Sequence, residues 1–221
     1  MSMWEFLQTY GTRIASGTAM TCAQFVLAAI LAVIVALLAG LGKLSSNLLI
    51  KSISIAYIEL FRGTSLLVQL FWVFFVLPLF GITLPAFTAG FVSVGLNIGA
   101  YGAEIVRGGI QSVPKGQWEA AYALSLSPAK RMRRIILPQA LLIMLPPWGN
   151  LLIELLKGTA LVSLISVTDL MFQAKQINGS TFLSAQAFGT ALIIYYLLAR
   201  FVLTPSMRWL ERATRRRMGR A

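Results

Sequence analysis

The chain has 221 residues, of which 57% are hydrophobic and only 12% are charged, and its mean hydropathy is +0.78. A soluble domain of this length needs a more polar surface, so the composition indicates an integral membrane protein. The formal net charge of +12 lies mostly in connecting segments, which argues against a nucleic-acid-binding face. A single cysteine excludes an internal disulfide. The absence of histidine from the sequence removes the commonest metal ligand.

Long apolar runs predict five membrane spans in a single transmembrane domain, 1–221. The N-terminal segment, 1–16, is mildly amphipathic and predicts a helix lying at the membrane surface. About 20 residues at a rise of 1.5 Å cross a hydrocarbon core of about 30 Å, and each run that follows is long enough to do so. The predicted spans are 19–41, 52–79, 84–109, 137–157 and 182–203.

The fourth predicted span contains Pro146, Pro147 and Gly149. Each proline removes a backbone donor and crowds the preceding turn, so we expect a break in the helix here. Irregular backbone at membrane depth requires burial in protein or a water-filled cavity. The apolar run 158–167 is too short to cross alone, and it predicts either a half-helix or an extension of the fourth span.

A basic segment, 114–136, connects the third and fourth spans. Pro114 and the pair Ser127-Pro128 predict the starts of two short helices, which are joined by a turn at 124–127. Residues at helical spacing predict one face that fills a groove on a partner, namely Trp118, Ala121, Tyr122 and Ser125. The distribution of Lys and Arg places this segment and the arginine-rich C-terminal tail in the cytoplasm and the N-terminus outside, and five spans satisfy that parity.

The same segment resembles the EAA loop of ATP-binding-cassette (ABC) importer permeases. The family pattern is E-A-A, three residues, Gly, nine residues and I-x-L-P; 119–121 and 135–138 fit it, and Ser125 replaces the glycine. Stretches at 57–64, 97–110 and 137–157 also resemble the histidine-, glutamine- and arginine-type permeases for polar amino acids. The coupling residues implied by the resemblance are Trp118, Glu119, Ala120, Ala121, Ser125, Ile135, Leu137 and Pro138.

The resemblance implies an all-α integral membrane protein with the type I ABC importer permease architecture, five transmembrane helices and a cytoplasmic two-helix coupling loop. It implies a permease subunit that forms the pathway for polar amino acids or related small zwitterions in the bacterial cytoplasmic (inner) membrane. The implied partners are a second permease copy or paralogue, two cytoplasmic ATPase subunits that bind ATP and Mg, and an external solute-binding protein.

Other functional classes fit the residues less well. A secondary transporter of small solutes is the alternative, although no internal repeat supports it. A membrane enzyme using Ser163 with Lys157 is disfavoured, because the chain has no histidine and no G-x-S-x-G elbow. The chain also has no G-x-x-x-x-G-K-[ST] run, so ATP would be bound by partners and no cofactor or metal is expected in the chain itself.

Polar residues inside the predicted spans mark a candidate pathway, because ionisable groups are costly in a membrane. Spacings of i, i+4 and i+7 repeat in the third and fourth spans. The predicted pathway residues are Tyr57, Asn97, Tyr101, Glu104, Asn150, Glu154, Lys157, Thr159 and Ser163. The alternative is that such groups only bond helices together, at about 1 kcal/mol each. We favour that alternative for Asn97, Glu59 and Arg62, and the pathway for Glu154 and Lys157.

Two departures from the family pattern carry expectations. Gly158 stands where family members with cationic substrates carry an acidic residue, and Ala160 stands where serine is common. We therefore expect a neutral or acidic solute, or a compatible solute such as ectoine. At Ser125 a left-handed backbone would cost about 1 kcal/mol, so we expect a right-handed conformation or a hydroxyl cap.

Overall fold

The computed structural model describes residues 2–218, and within that range it contains helices and no β-strand. The all-α prediction is confirmed. The helices are α1 (Met3–Lys43), α2 (Leu48–Gly63), α3 (Leu66–Phe71), α4 (Ala86–Gln111), α5 (Lys115–Ala123), α6 (Pro128–Arg131), α7 (Leu137–Gly158), α8 (Leu170–Thr181), α9 (Ser184–Leu197) and α10 (Thr204–Met218). Irregular turns continue several of them: π turns at Trp72–Val76, Met132–Ile136 and Leu198–Leu203, and 3-10 turns at Leu77–Phe80 and Thr159–Ile165.

Helix α1 is a single helix of 41 residues, about 60 Å long at 1.5 Å per residue. The predicted surface helix at 1–16 is therefore wrong, since these residues extend the first span. A capping box between Ser2 and Glu5 fixes the start of the helix. Phe6 and Ile14 are buried against α8 and α9, so this segment packs on the rest of the protein and is not a separate surface helix.

The core lies where α1 packs along α4, with α7 against α4. Ala28, Ala32 and Ala36 are fully buried on one face of α1. At Gly40 an added Cβ would lie 2.7 Å from the carbonyl oxygen of Ala103, so only glycine permits this approach. In lipid, close contact between small residues replaces the hydrophobic drive that joins helices in water. The stripe of small residues therefore explains why α1 and α4 form the central pair.

The second predicted span, 52–79, is not one helix, because α2 and α3 meet at 106°. The bend frees backbone carbonyls that must find partners at membrane depth. The hydroxyl of Thr64 donates to the carbonyl of Leu60, and the carbonyl of Phe61 accepts from the amide groups of Gln69 at 2.9 Å and Asn97 at 3.1 Å. Side chains from α3 and α4 thus stabilise the bend.

The break expected at Pro146-Pro147 is wrong. Helix α7 runs through both prolines, and the 3-10 turn Thr159–Ile165 extends it, which is the second alternative for the run 158–167. The fixed φ of proline fits a helix, and both α4 and α10 pack against α7. By length and composition, four helical stretches in residues 2–218 can cross a membrane, and the bent α2–α3 pair raises this to five.

Candidate functional site

Helix α5 ends in a left-handed residue, Ser125, with φ 49°. The prediction of a right-handed backbone is wrong. The amide of Leu126 donates to the carbonyl of Ala121 at 3.2 Å, and the amide of Ser125 donates to the carbonyl of Tyr122 at 2.8 Å. This pair of bonds is the Schellman motif, which requires a left-handed residue at this position. The loop therefore keeps the backbone conformation for which the family pattern that it resembles uses glycine.

The connecting segment forms two short helices joined by a turn. Helix α5 begins directly after Pro114, and α6 begins at Pro128 after Ser127, whose side chain makes no capping hydrogen bond. The guanidinium of Arg131 lies 3.8 Å from the ring centroid of Tyr122 and 5.8 Å from that of Trp118. Cation–π contacts of this kind contribute about 0.5–2 kcal/mol. They fix α5 against α6, which continues through a π turn into α7.

The predicted coupling residues divide into an outer face and an anchor. Glu119 and Ala120 are exposed, and the Glu119 carboxylate makes no hydrogen bond or ion pair with any described residue. Ala121 is fully buried, and Trp118 packs on the core beside α7. Half-buried positions follow at Ile135, Leu137 and Pro138. Sequence reasoning missed the deepest anchor, Ile136, which is fully buried but lies between the fixed positions of the loop pattern.

Two neighbouring cavities, of about 580 Å³ and about 530 Å³, lie beside α4 and α7. Both are lined by Tyr101, Leu151 and Glu154, so they form one continuous region, which is mostly apolar and carries a few polar side chains. The predicted pathway residues that line this region are Asn97, Tyr101, Glu104, Asn150, Glu154 and Lys157. These positions follow the i, i+4 and i+7 spacing of α4 and α7, and they lie on the sides of the two helices that line the cavities.

The accessible charges in this region are few. Lys157 Nζ lies 3.2 Å from Glu154 Oε1, and both side chains are 64% exposed, so the pair is weak and open to a solute. The guanidinium of Arg62 lies 5.3 Å from the ring centroid of Tyr101. Arg62 and Leu66 meet this region only because α2 and α3 bend, and no sequence spacing indicated that. The wall thus presents two cationic groups beside one accessible carboxylate.

Glu104 is already paired. Its carboxylate accepts from Lys43 at 2.6 Å and from Arg107 at 2.8 Å, and the three side chains are 18–32% exposed. Arg107 also donates to Gln111 at 2.6 Å. These bonds tie the end of α1 to α4, so the main contacts of Glu104 are structural.

Three predicted pathway residues, Tyr57, Thr159 and Ser163, do not line these two cavities. The hydroxyl of Tyr57 on α2 donates to the carbonyl of Leu96 on α4. Thr159 and Ser163 are buried, and they donate to backbone carbonyls of their own helical turns at 2.7 Å and 2.8 Å. Asn97 lines a cavity, but its amide nitrogen is bonded at the α2–α3 bend. The contacts of Tyr57 and Asn97 thus bond one helix to another, whereas those of Thr159 and Ser163 stay within one helix.

A buried carboxylate lies beyond the fourth span, and sequence reasoning did not single it out. Asp169 is fully buried and caps α8, with its Oδ1 accepting from the amide of Phe172 at 2.8 Å. The hydroxyl of Tyr195 lies 3.4 Å from Oδ2. Burial raises the pKa of Asp169 to about 6, although the backbone amides at the start of α8 oppose that rise.

Most of the chain is similar to known transport proteins in sequence and in structure. The family described as "Binding-protein-dependent transport system inner membrane component" matches residues 28–216. A probable amino-acid ABC transporter permease, y4tF, of Sinorhizobium fredii is 47% identical over 186 residues, which cover 81% of this chain and 78% of the relative. The L-cystine transport system permease protein TcyB of Bacillus subtilis is 35% identical over 200 residues, which cover 90% of this chain and 82% of the relative. A solved structure described as an amino acid ABC transporter with histidines has a TM-score of 0.88 and 38% identity, and covers 96% of this chain and 99% of that one.

Proposed function

The chain belongs to the family of binding-protein-dependent transport system inner membrane components, and from this we propose that it is the permease subunit of an ABC importer for polar amino acids or related small zwitterions. The chain is a transport component and not an enzyme. The observation that carries the proposal is the connection between an exposed short helix and the cavities. Arg131 of α6 contacts the ring of Tyr122 of α5, and α6 continues through a π turn into α7, which lines both cavities.

The proposed assembly contains a second permease copy or paralogue, two cytoplasmic ATPase subunits that bind ATP and Mg, and an external solute-binding protein. Three exposed groups support α5 as the contact with an ATPase. They are the free carboxylate of Glu119 and the side chains of Tyr122 and Leu124, which are 61% and 70% exposed. The protein is a multi-pass inner-membrane protein. We place the N-terminus outside and the C-terminus in the cytoplasm, because Lys and Arg concentrate in the coupling segment and tail.

The proposed mechanism is alternating access. Closure of the ATPase pair moves α5, and the stacking of Arg131 on Tyr122 together with the burial of Ile136 carries that movement into α7. Helix α7 bears Glu154 and Lys157 on the cavity wall. Displacement of α7 relative to α4 therefore changes the cavity itself, opening it outward to receive solute and inward after hydrolysis.

The cavity charges favour a solute with at least one carboxylate. Arg62 and Lys157 are available as cationic partners, whereas Glu104 is neutralised by its own two ion pairs. A cationic side chain would find only Glu154, which Lys157 already contacts. We therefore propose a neutral or acidic amino acid as solute. Ectoine is an open alternative, because it also combines a carboxylate with a delocalised cation.

The test is ATP hydrolysis by the complex, reconstituted in vesicles with its binding protein, in the presence of cationic, neutral or acidic amino acids or ectoine. We expect stimulation by a neutral or acidic ligand, and we expect Lys157→Met to weaken uptake more than the control Lys175→Met, because Lys175 lies on α8, outside both cavities. Stimulation by arginine or lysine would contradict the charge assignment. Solute uptake that continues without any ATPase would contradict the importer proposal and favour a secondary transporter.

A further inference from the structure

Helix α9, its π turn and α10 form one helical rod that is longer than a membrane is thick. The stretch Ser184–Arg216 has 33 residues, about 50 Å at 1.5 Å per residue. A hydrocarbon core of about 30 Å accommodates roughly 20 of them. The last 13 or so residues, about 20 Å of helix, therefore extend past the hydrocarbon, through the headgroup layer and into water.

This emerging end carries a stripe of unpaired arginines. Arg208, Arg212 and Arg216 are spaced by four residues, which places them along one side of α10. All are exposed, and none makes a hydrogen bond or ion pair with a described residue. Arg215, by contrast, pairs with Glu211 at 3.0 Å. The stripe is therefore free to bind something outside the chain.

A neighbouring side of α10 packs on the fourth span. Met207, Arg208 and Glu211 line a small cavity with Pro146 and Gly149 of α7, so Arg208 lies at the edge of this contact while its side chain stays exposed. Trp209, which is 70% exposed, lies three residues before Arg212 and so beside the arginine stripe. A tryptophan with this exposure is typical of a membrane–water interface, where the ring sits among headgroups.

The depth of the stripe indicates its ligand. If the hydrocarbon ends near Leu203, Arg208 lies about 7 Å beyond it and Arg212 about 13 Å beyond it, and the headgroup layer on each side is about 5–8 Å thick. Arg208 therefore lies within this layer, and the long side chain of Arg212 can reach back to it. Phosphate is the anionic group at that depth, and guanidinium groups bind phosphate through two parallel hydrogen bonds. A protein partner in the cytoplasm would instead meet the far end of α10, near Arg216.

We propose that the face of α10 formed by Arg208, Trp209 and Arg212 binds the phosphate of anionic phospholipid in the leaflet from which the helix emerges. Arg216 extends the same stripe beyond the headgroup layer. The occupant is a bilayer lipid such as phosphatidylglycerol. The proposal rests on the membrane placement of the fifth span, and it is independent of the solute and of the ATPase.

The experiment is native mass spectrometry of the full chain in detergent, titrated with phosphatidylglycerol or with phosphatidylcholine. Each arginine near an anionic surface contributes about fivefold to affinity. We therefore expect R208Q/R212Q/R216Q to lose at least tenfold in apparent affinity for phosphatidylglycerol while phosphatidylcholine binding is unchanged. The matched control, K130Q/R133Q/R134Q, removes the same charge from exposed positions of the coupling segment and should retain binding.

Equal loss in both triple variants would overturn the proposal, because net charge alone would then explain it. Unchanged phosphatidylglycerol binding in R208Q/R212Q/R216Q would also overturn it, and a loss of co-purifying ATPase in the same variant would assign the stripe to a protein partner instead. If the triple variant does not fold, Arg212→Gln and Arg212→Lys replace it. The lysine variant keeps the charge and should bind at least twice as tightly as the glutamine variant.

Discussion

Replacing Ser125 by glycine should stabilise the coupling segment by about 1 kcal/mol. Ser125 holds φ 49° because the Schellman bonds at the end of α5 require it, and a side chain costs about 1–2 kcal/mol in that conformation. Glycine avoids this cost but loses more entropy on folding, which leaves a net gain of about 1 kcal/mol. The serine hydroxyl makes no hydrogen bond with a described residue, so its removal subtracts little.

Amide hydrogen exchange measures this change where it occurs. About 1 kcal/mol is a factor of roughly 5 in an opening equilibrium, so amides in the last turn of α5, from Tyr122 to Leu126, should exchange about fivefold more slowly in Ser125→Gly. The control is Ser127→Gly, two residues away, where φ is −59°. Glycine there relieves no strain and only adds freedom, so exchange in the turn should become faster.

The two serines separate the conformational argument from a general effect of glycine. Slower exchange in Ser125→Gly with faster exchange in Ser127→Gly supports the left-handed turn. A change of the same sign in both variants would refute the reasoning, because it would mean that backbone conformation at residue 125 does not set the stability of the loop.

Three further predictions address ion pairs, coupling and pH. Glu104→Gln leaves Lys43 and Arg107 without their shared partner. For half-buried pairs this loss should cost about 2 kcal/mol of stability and lower the Tm by about 4–8 °C. Glu154→Gln, whose ion pair is 64% exposed, should change the Tm far less, and equal Tm shifts in the two variants would contradict this order of strength. Glu119→Lys should leave assembly intact but uncouple ATP hydrolysis from transport in vesicles, and unchanged transport would defeat the coupling role. Burial raises the pKa of Asp169 from 3.8 to about 6, so the folded protein holds this proton more tightly than the unfolded chain. The resulting contribution to stability is fully present below about pH 4 and is lost as the pH rises through about 6. Lowering the pH from 7 to 5 should therefore raise the Tm of the protein by more than that of Asp169→Asn, and parallel curves would contradict the assignment.

Local sequence signals identified where the two short helices of the segment 114–136 begin. Prolines at 114 and 128 marked the helix starts, because proline acts on the backbone of its immediate neighbours. The conformation of Ser125 was missed because intrinsic preference was weighed alone. The two hydrogen bonds of the Schellman motif join residues that are three and five positions apart. They outweigh the penalty of about 1–2 kcal/mol for a left-handed backbone at Ser125.

Contacts between distant residues explain the other differences. The bend between α2 and α3 depends on Asn97, which donates to a carbonyl 36 residues earlier, and apolar composition carries no sign of such a bond. Helical spacing placed Tyr101 and Glu154 on facing walls, but it could not reveal that Lys43 and Arg107 neutralise Glu104. Periodicity thus identifies the side of a helix that faces the protein interior, whereas the partner that each polar group finds there depends on tertiary structure.

Helix α1 is fastened at both of its ends. Near its start, Phe6 is buried in the core with α8 and α9; at its last residue, Lys43 is bonded to Glu104. A helix of about 60 Å is about twice as long as the hydrocarbon core of about 30 Å. Because its two ends contact different helices, α8 and α9 at one end and α4 at the other, a movement of either group acts on the same element.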